Sequence, residues 1–246
     1  MDFEHIRERI KDGLKRNEGE SHYKRQMTKK FWQGFRSALL ETGQIRRAES
    51  VALRNLIDCY DYRTYDMQAA VTSALSVDGD LVEAGVYKGA TAKIICEVKG
   101  DRPLHLFDTF SGLPESMFED VDFSTDAGKQ QLAPGKYSAS LGEVKTNLSQ
   151  YGNVFYYPGI FPETAGVLDG GVFSFVHLDL DLYKSTAEAL KFFYPRMSVG
   201  GIIISHNYTN LPGVRRAFDE FFKDRSESVR VLSSTQCMVT KLRHNP

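Results

Sequence analysis

From Asp78 onward the chain alternates short apolar runs with segments of helical period, and no other feature constrains its fold as strongly. DLVEAG (80–85) reads as a short buried strand, GATAKIICEVK (89–99) as a helix with Ala92, Ile95 and Cys96 on one side, and LHLFDTF (104–110) as the next strand. NVFYY (153–157) and FSFVHLDLD (173–181) follow as strands, then the helix STAEALKFFYPRM (185–197) and the strand GGIIISH (200–206). In GVRRAFDEFFKDR (213–225), Val214, Ala217, Phe218 and Phe221 recur at helical spacing, and VRVLSST with QCMVTKL reads as an antiparallel pair. This alternation predicts an α/β fold, with a mostly parallel sheet and helices on both faces. Ligands of such sheets sit outside the carboxyl ends of the strands. Glu83, Gly85, Asp108, Asp179 and His206 therefore fall along one rim.

Residues 1–75 differ, with helical patterning and no convincing strand. The basic stretch KRNEGESHYKRQMTKK (15–30) runs into Phe31, Trp32 and Phe35. A solvated helical cap whose aromatics dock on the main domain accounts for this better than a basic-aromatic binding surface. The expected organisation is a helical cap over 1–75, serving substrate or oligomer contacts, and one main domain over 76–246. Hydrophobic residues make up 41% of the 246, enough for a real core, and the formal net charge of -1 calls for no nucleic-acid partner. The start, MDFEHIRERIKDG, is too charged for a signal peptide, and no run approaches the roughly 20 apolar residues of a membrane span. A cytoplasmic protein without membrane attachment is expected. Cys59, Cys96 and Cys237 are widely spaced and odd in number, so they read as small buried hydrophobes rather than metal ligands or a disulfide.

The first strand-to-helix turn is EAGVYKG (83–89). Gly85 and Gly89 permit a tight turn that lets a ligand approach the backbone. A dinucleotide fingerprint needs a further glycine between them, and Tyr87 and Lys88 stand there instead, which argues against NAD and a nucleotide-sugar oxidoreductase. Glu83, an acid inside a strand, suits a cationic ligand better than a phosphate. Asp108 ends the second strand and is placed to accept both hydroxyls of a ribose. S-adenosylmethionine carries a ribose, an ammonium and a sulfonium but no phosphate, and it fits this set. An ordinary tight turn and an N-cap are the plain alternatives for the glycines and for Asp108. The segment 111–140 is long, acidic and without period, and it follows directly on Asp108, so it reads as a lid over the cofactor.

In VHLDLDLYKST (176–186), Asp179 and Asp181 interrupt an apolar run, where carboxylates are costly unless something cationic or reactive requires them. EAGVYKG at Glu83, FDTFSGLPE at Phe107, YSASLGEV at Tyr137, GIFPET at Gly159, HLDLDLYKST at His177 and LPGVRRAFDEF at Leu211 together resemble the macrocin O-methyltransferase family. The likeness covers roughly 78–222, with six motifs in order. It implies a class I, Rossmann-like methyltransferase sheet and a cytoplasmic enzyme, expected as a homo-oligomer, that methylates hydroxyls of sugars or glycosylated small molecules in natural-product or surface-glycan biosynthesis. By the same resemblance, S-adenosylmethionine lies over Gly85 against Glu83, Ala84, Tyr87 and Gly89. Its ribose is on Asp108 beside Thr109, with Ser138, Ser140 and Asp179 bordering it.

The resemblance also implies that Asp179 binds a divalent metal, magnesium in the family, and that Asp181 is the general base. A sugar hydroxyl is a poor nucleophile, so transfer needs its proton removed or its pKa lowered. Two carboxylates at i and i+2 on a strand point the same way and reach one site. The chain departs from the family where two successive aspartates complete the metal site, because it has His206 and Asn207 there. Magnesium prefers hard, charged oxygen ligands. Three outcomes compete: loss of the metal, leaving His206 or Asp181 as sole base; a softer ion on Asp179 and His206, with Asn207 beside it; or a degenerate site that binds cofactor without catalysis and serves regulation or interaction.

Overall fold

A computed structural model of the chain describes residues 3–6, 10, 31–33, 35–37, 39–41, 43, 62–115, 133–232 and 235–243. It divides into two compact units, Met1–Asp66 and Met67–Pro246. The first unit holds a small apolar cluster of Ile6, Ile10 and Leu39, against which Phe3, Trp32 and Phe35 pack. Trp32 and Phe35 thus have apolar partners within their own unit, while Phe31 is exposed. The basic stretch 15–30 lies outside the described residues, as does Cys59.

The second unit is a seven-stranded sheet. Helix α1 (Tyr62–Ala74) begins before the division and ends within this unit, and β1 (Asp80–Ala84), α2 (Ala90–Val98), β2 (Leu104–Asp108), α3 (Leu141–Asn147) and β3 (Val154–Pro158) follow in chain order. It continues with β4 (Phe173–Leu178), α4 (Tyr183–Phe193), β5 (Met197–Ser205), α5 (Pro212–Phe222), β6 (Arg230–Val231) and β7 (Cys237–Thr240). The strand order is β3-β2-β1-β4-β5-β7-β6. Strands β1 to β5 run parallel to one another, and β7 runs antiparallel between β5 and β6. The α/β fold read from the alternation is the one observed, as is the antiparallel pair at the end.

Two core clusters, one on each face of the sheet, show why the strands are apolar on both sides. Val82, Ala84, Phe107, Val176, Leu178 and Ile203 face α4 and α5, meeting Ala189, Leu190, Phe193, Val214 and Phe218. Leu81, Leu106, Phe175, Ile202 and Ile204 face the other way, toward Met67, Val71 and Ala74 of α1, Ile95 of α2 and Val144 of α3. Phe193 stacks on Phe161 with ring centroids 5.1 Å apart. Burying a side chain of that size contributes roughly 1.5–3 kcal/mol. Cys96 and Cys237 are free and buried, and burial pushes the Cys96 thiol up to about 12, so both behave as small hydrophobes.

The chain leaves β1 toward β2 on one side of the sheet and returns to β4 on the other. A crevice opens at such a reversal, outside the carboxyl ends of the strands. One expectation is corrected at this point. β4 ends at Leu178, so Asp179 and Asp181 lie in the turn leading to α4 and not on a strand. The left-handed backbone of Asp181 (φ 60°) ends the extended run.

Candidate active site

The crevice is a cavity of about 330 Å³, within the range of small-ligand sites, lined by Gly85, Asp108, Asp179, Asp181, His206 and Asn207 among others. Each comes from the carboxyl end of a different strand or the turn after it: Gly85 after β1, Asp108 at the end of β2, the two aspartates after β4, and His206 and Asn207 after β5. Backbone hydrogen bonds splice these turns together. Asp179 donates its N–H to the Ala84 carbonyl at 2.8 Å, and His206 donates to the Leu178 carbonyl at 2.9 Å.

Asp108 organises the first turn. Its Oδ2 accepts the backbone N–H groups of Val86 and Tyr87 at 2.6 and 2.9 Å, and its Oδ1 accepts that of Phe110 at 2.7 Å. Charge-assisted bonds of this kind hold Tyr87 in a left-handed conformation (φ 49°). Gly85 is required by packing as much as by any ligand. A Cβ there would lie 2.0 Å from the Asp179 carbonyl oxygen, and the residue's φ is +89°. Among the described residues six non-glycines have left-handed backbone, and four of them (Tyr87, Tyr137, Asp181 and Asn207) line the cavity. Strain of this kind concentrates at working sites.

Asn207 Nδ2 donates to Asp181 Oδ1 at 2.7 Å. Burial, and next the neighbouring charge of Asp179, push the Asp181 carboxyl up to about 7. The same two aspartates, after burial, raise the phenol of Tyr137, which meets Tyr87 edge to face across 5.8 Å at the cavity wall. His206 Nδ1 lies 4.0 Å from Asp179 Oδ2 and 3.3 Å from the Gln236 amide nitrogen.

Of the residues singled out from the sequence, Gly85, Tyr87, Asp108, Thr109, Asp179, Asp181, His206 and Asn207 are brought together around the cavity. The others have different surroundings. Glu83 is fully buried beneath the rim and accepts a hydrogen bond from, or donates one to, His177 Nδ1 at 3.0 Å. Burial, and then the charge of Asp108, raise the Glu83 carboxyl well above its ordinary value. Ala84 is buried in the core. A Cβ on Gly89 would meet Val144 and Leu148, so this glycine serves helix packing. Ser138 is exposed, and Ser140 caps α3 by accepting the Glu143 N–H at 3.1 Å.

The proposed lid falls mostly outside the described residues, which omit 116–132. Its two ends are joined by backbone bonds from Leu113 to Lys136 and from Gly135 to Leu113, both 2.9 Å. Leu113, Pro114 and Tyr137 from these ends line the cavity. So do Ile160 and Phe161 from the GIFPET segment, which the sequence marked only as part of a resemblance. His177 also escaped sequence reasoning, because its partner Glu83 is 94 positions away.

The profile of the macrocin-O-methyltransferase (TylF) family matches residues 34–233. A Streptomyces olivaceus protein named as an 8-demethyl-8-(2,3-dimethoxy-alpha-L-rhamnosyl)-tetracenomycin-C 4'-O-methyltransferase is 32% identical over 161 residues, 59% of this chain and 60% of that one. The demethyldecarbamoylnovobiocin O-methyltransferase of Streptomyces niveus is 31% identical over 159 residues, 59% of each chain. The alignments thus span about 60% of the length of these relatives. Among solved structures, the O-methyltransferase NovP is 27% identical with a TM-score of 0.60, covering 74% of this chain and 80% of that one. The calicheamicin methyltransferase CalS11, 20% identical with a TM-score of 0.65 over 86% of this chain and 91% of that one, shares the fold. No described helix is long and apolar enough to cross a membrane.

Proposed function

This chain belongs to the macrocin-O-methyltransferase family, and from that premise we propose that it transfers a methyl group from S-adenosylmethionine to a hydroxyl of a sugar or glycosylated small molecule. One observation carries the reading: Asp181, oriented by Asn207, shares a cavity with Asp108 and the β1–α2 turn. A base and a cofactor cradle thereby face the same space.

The residues present fit S-adenosylmethionine. Asp108, Thr109 and Tyr87 would hold its nucleoside end, while Asp179 offers negative charge to its cationic end. Bound there, it supplies an electrophilic methyl on a sulfonium. Asp108 keeps the β1–α2 turn in its binding shape through three backbone hydrogen bonds. Asn207 fixes Oδ1 of Asp181, leaving Oδ2 to accept the proton of the acceptor hydroxyl. Tyr87, Tyr137 and Phe161 wall the cavity with aromatic surface that suits a sugar face. Of the two bases read from the sequence, Asp181 has the oriented carboxylate, whereas His206 turns its Nδ1 toward Asp179 and Gln236.

The magnesium implied by the family likeness does not suit this set. An imidazole and a carboxamide stand where hard, charged oxygens are wanted, and the Asn207 carboxamide, whose Nδ2 donates to Asp181, is neutral. The test of the proposal is calorimetric titration with S-adenosylhomocysteine, followed by a methyl-transfer assay on a panel of glycosylated acceptors. Binding with transfer supports it. Binding without transfer to any hydroxyl would favour a cofactor-binding protein without catalysis.

A further inference from the structure

His177 sits in the sheet among apolar neighbours, opposite Glu83 on β1 and Ile204 on β5, with no exposed surface. Its Nδ1 is hydrogen-bonded to Glu83, and its Nε2, equally buried, has no hydrogen-bond partner. A buried ring nitrogen is rarely left so without a reason. His177 shares its side of the sheet with His206 and Asp179 at the rim above it. One donor atom from each of these three residues lies within 4.8 Å of the others. The His177 and His206 rings are 6.0 Å apart between centroids, and His206 Nδ1 is 4.0 Å from Asp179 Oδ2. Ligands of a tetrahedral ion at roughly 2.0–2.1 Å stand about 3.4 Å apart. The present separations are wider than that value, so the ligands must draw in on binding.

We propose that His177, Asp179 and His206 bind a divalent first-row transition ion of the zinc(II) class, with Glu83 behind them as a positioning residue. Two imidazoles and one carboxylate are the donor set such ions take, while magnesium takes oxygens. An ion on Nε2 of His177 requires the tautomer in which Nδ1–H donates to Glu83, and a carboxylate in that place orients a ligating histidine. Gln236, with its amide nitrogen 3.3 Å from His206 Nδ1, competes with the ion for one lone pair and yields it on binding. Three protein ligands leave positions open toward the cavity, which Asp179 and His206 line. A hydroxyl bound there would have its pKa lowered beside Asp181. That use of the ion rests on the methyltransferase reading; its binding does not.

The test uses the full chain, stripped with EDTA and titrated with zinc(II) against a chelator of known affinity, and with cobalt(II) followed by visible absorption. The expected result is one ion per chain, cobalt bands typical of nitrogen and oxygen ligation, and no displacement by excess magnesium. His206→Ala and His177→Gln should each weaken zinc binding by at least about 10–100-fold, and Glu83→Gln by about 10-fold, the range seen when ligand support is lost. No tight zinc or cobalt binding, or wild-type affinity in His206→Ala, would overturn the site. His206 is at the rim, so its variant decides the matter even if His177→Gln fails to fold. S-adenosylhomocysteine binding is measured on the same samples. Its retention alongside absent ion binding would overturn the ion site alone, whereas ion binding without it would leave the site standing and count against the methyltransferase reading.

Discussion

Asn207 and Asp181, 26 positions apart, are joined by a 2.7 Å hydrogen bond, and both hold left-handed backbone within their turns. The bond fixes one carboxylate oxygen and ties the β4–α4 turn to the β5–α5 turn. Asn207→Ala should therefore lower the turnover number by up to about 100-fold through misplacement of Asp181. S-adenosylhomocysteine affinity should stay unchanged, as calorimetry can show. Parallel losses of turnover and affinity would mean that Asn207 supports the cofactor cradle instead.

Asp108 is the counterpart on the cofactor side. Removing its carboxylate frees three backbone N–H groups at once. Asp108→Ala should weaken S-adenosylhomocysteine binding by about 1–3 kcal/mol, and hydrogen exchange at Val86 and Tyr87 should speed up. Unchanged affinity in a titration would remove Asp108 from the binding site.

Gly85→Ala should be worse than either. Its Cβ would stand 2.0 Å from the Asp179 carbonyl oxygen, and the backbone φ of +89° suits glycine. The strained backbone alone costs about 1–3 kcal/mol, before the β4–α4 turn is displaced. A lowered melting temperature together with lost cofactor binding is expected. A variant of wild-type stability would show that the two turns do not press on each other as the structure has them.

Acid stability should depend in part on Glu227. Burial works to raise its carboxyl, but the Leu242 N–H, the Tyr194 hydroxyl and Ser226 together hold it below the ordinary value. A carboxylate lowered in the folded state adds stability above its unfolded pKa, and that stability is lost as the pH falls through the folded value. Glu227→Gln should thus be less stable than wild type at neutral pH, and the two should converge in acid. Denaturant titrations at several pH values check this, and a gap that persists in strong acid would contradict it.

Much of this fold was legible because apolar runs such as GGIII and FSFV, short and rich in β-branched or aromatic residues, suit strands buried on both faces. The rim residues followed from the strand ends, since each ends or follows a strand. Placement of side chains was less legible. Asp179 and Asp181 read as neighbours on one strand face, but β4 stops at Leu178, and the left-handed backbone of Asp181 has no local signal. Ser140 carries a local signal, S-x-x-E, that marks a helix cap rather than a cofactor contact. The Glu83–His177 pair depends on the register between β1 and β4, which residues 94 positions apart do not announce.

Asp181 as the acid that accepts the acceptor's proton is the centre of this account. The direct measurement compares wild type and Asp181→Asn for methyl transfer from S-adenosylmethionine to a glycosylated acceptor, with S-adenosylhomocysteine affinity measured on both. The expected result is turnover reduced by roughly 10²–10⁴-fold in the variant, the range for a lost general base, with cofactor affinity preserved. Wild-type turnover in Asp181→Asn would contradict it.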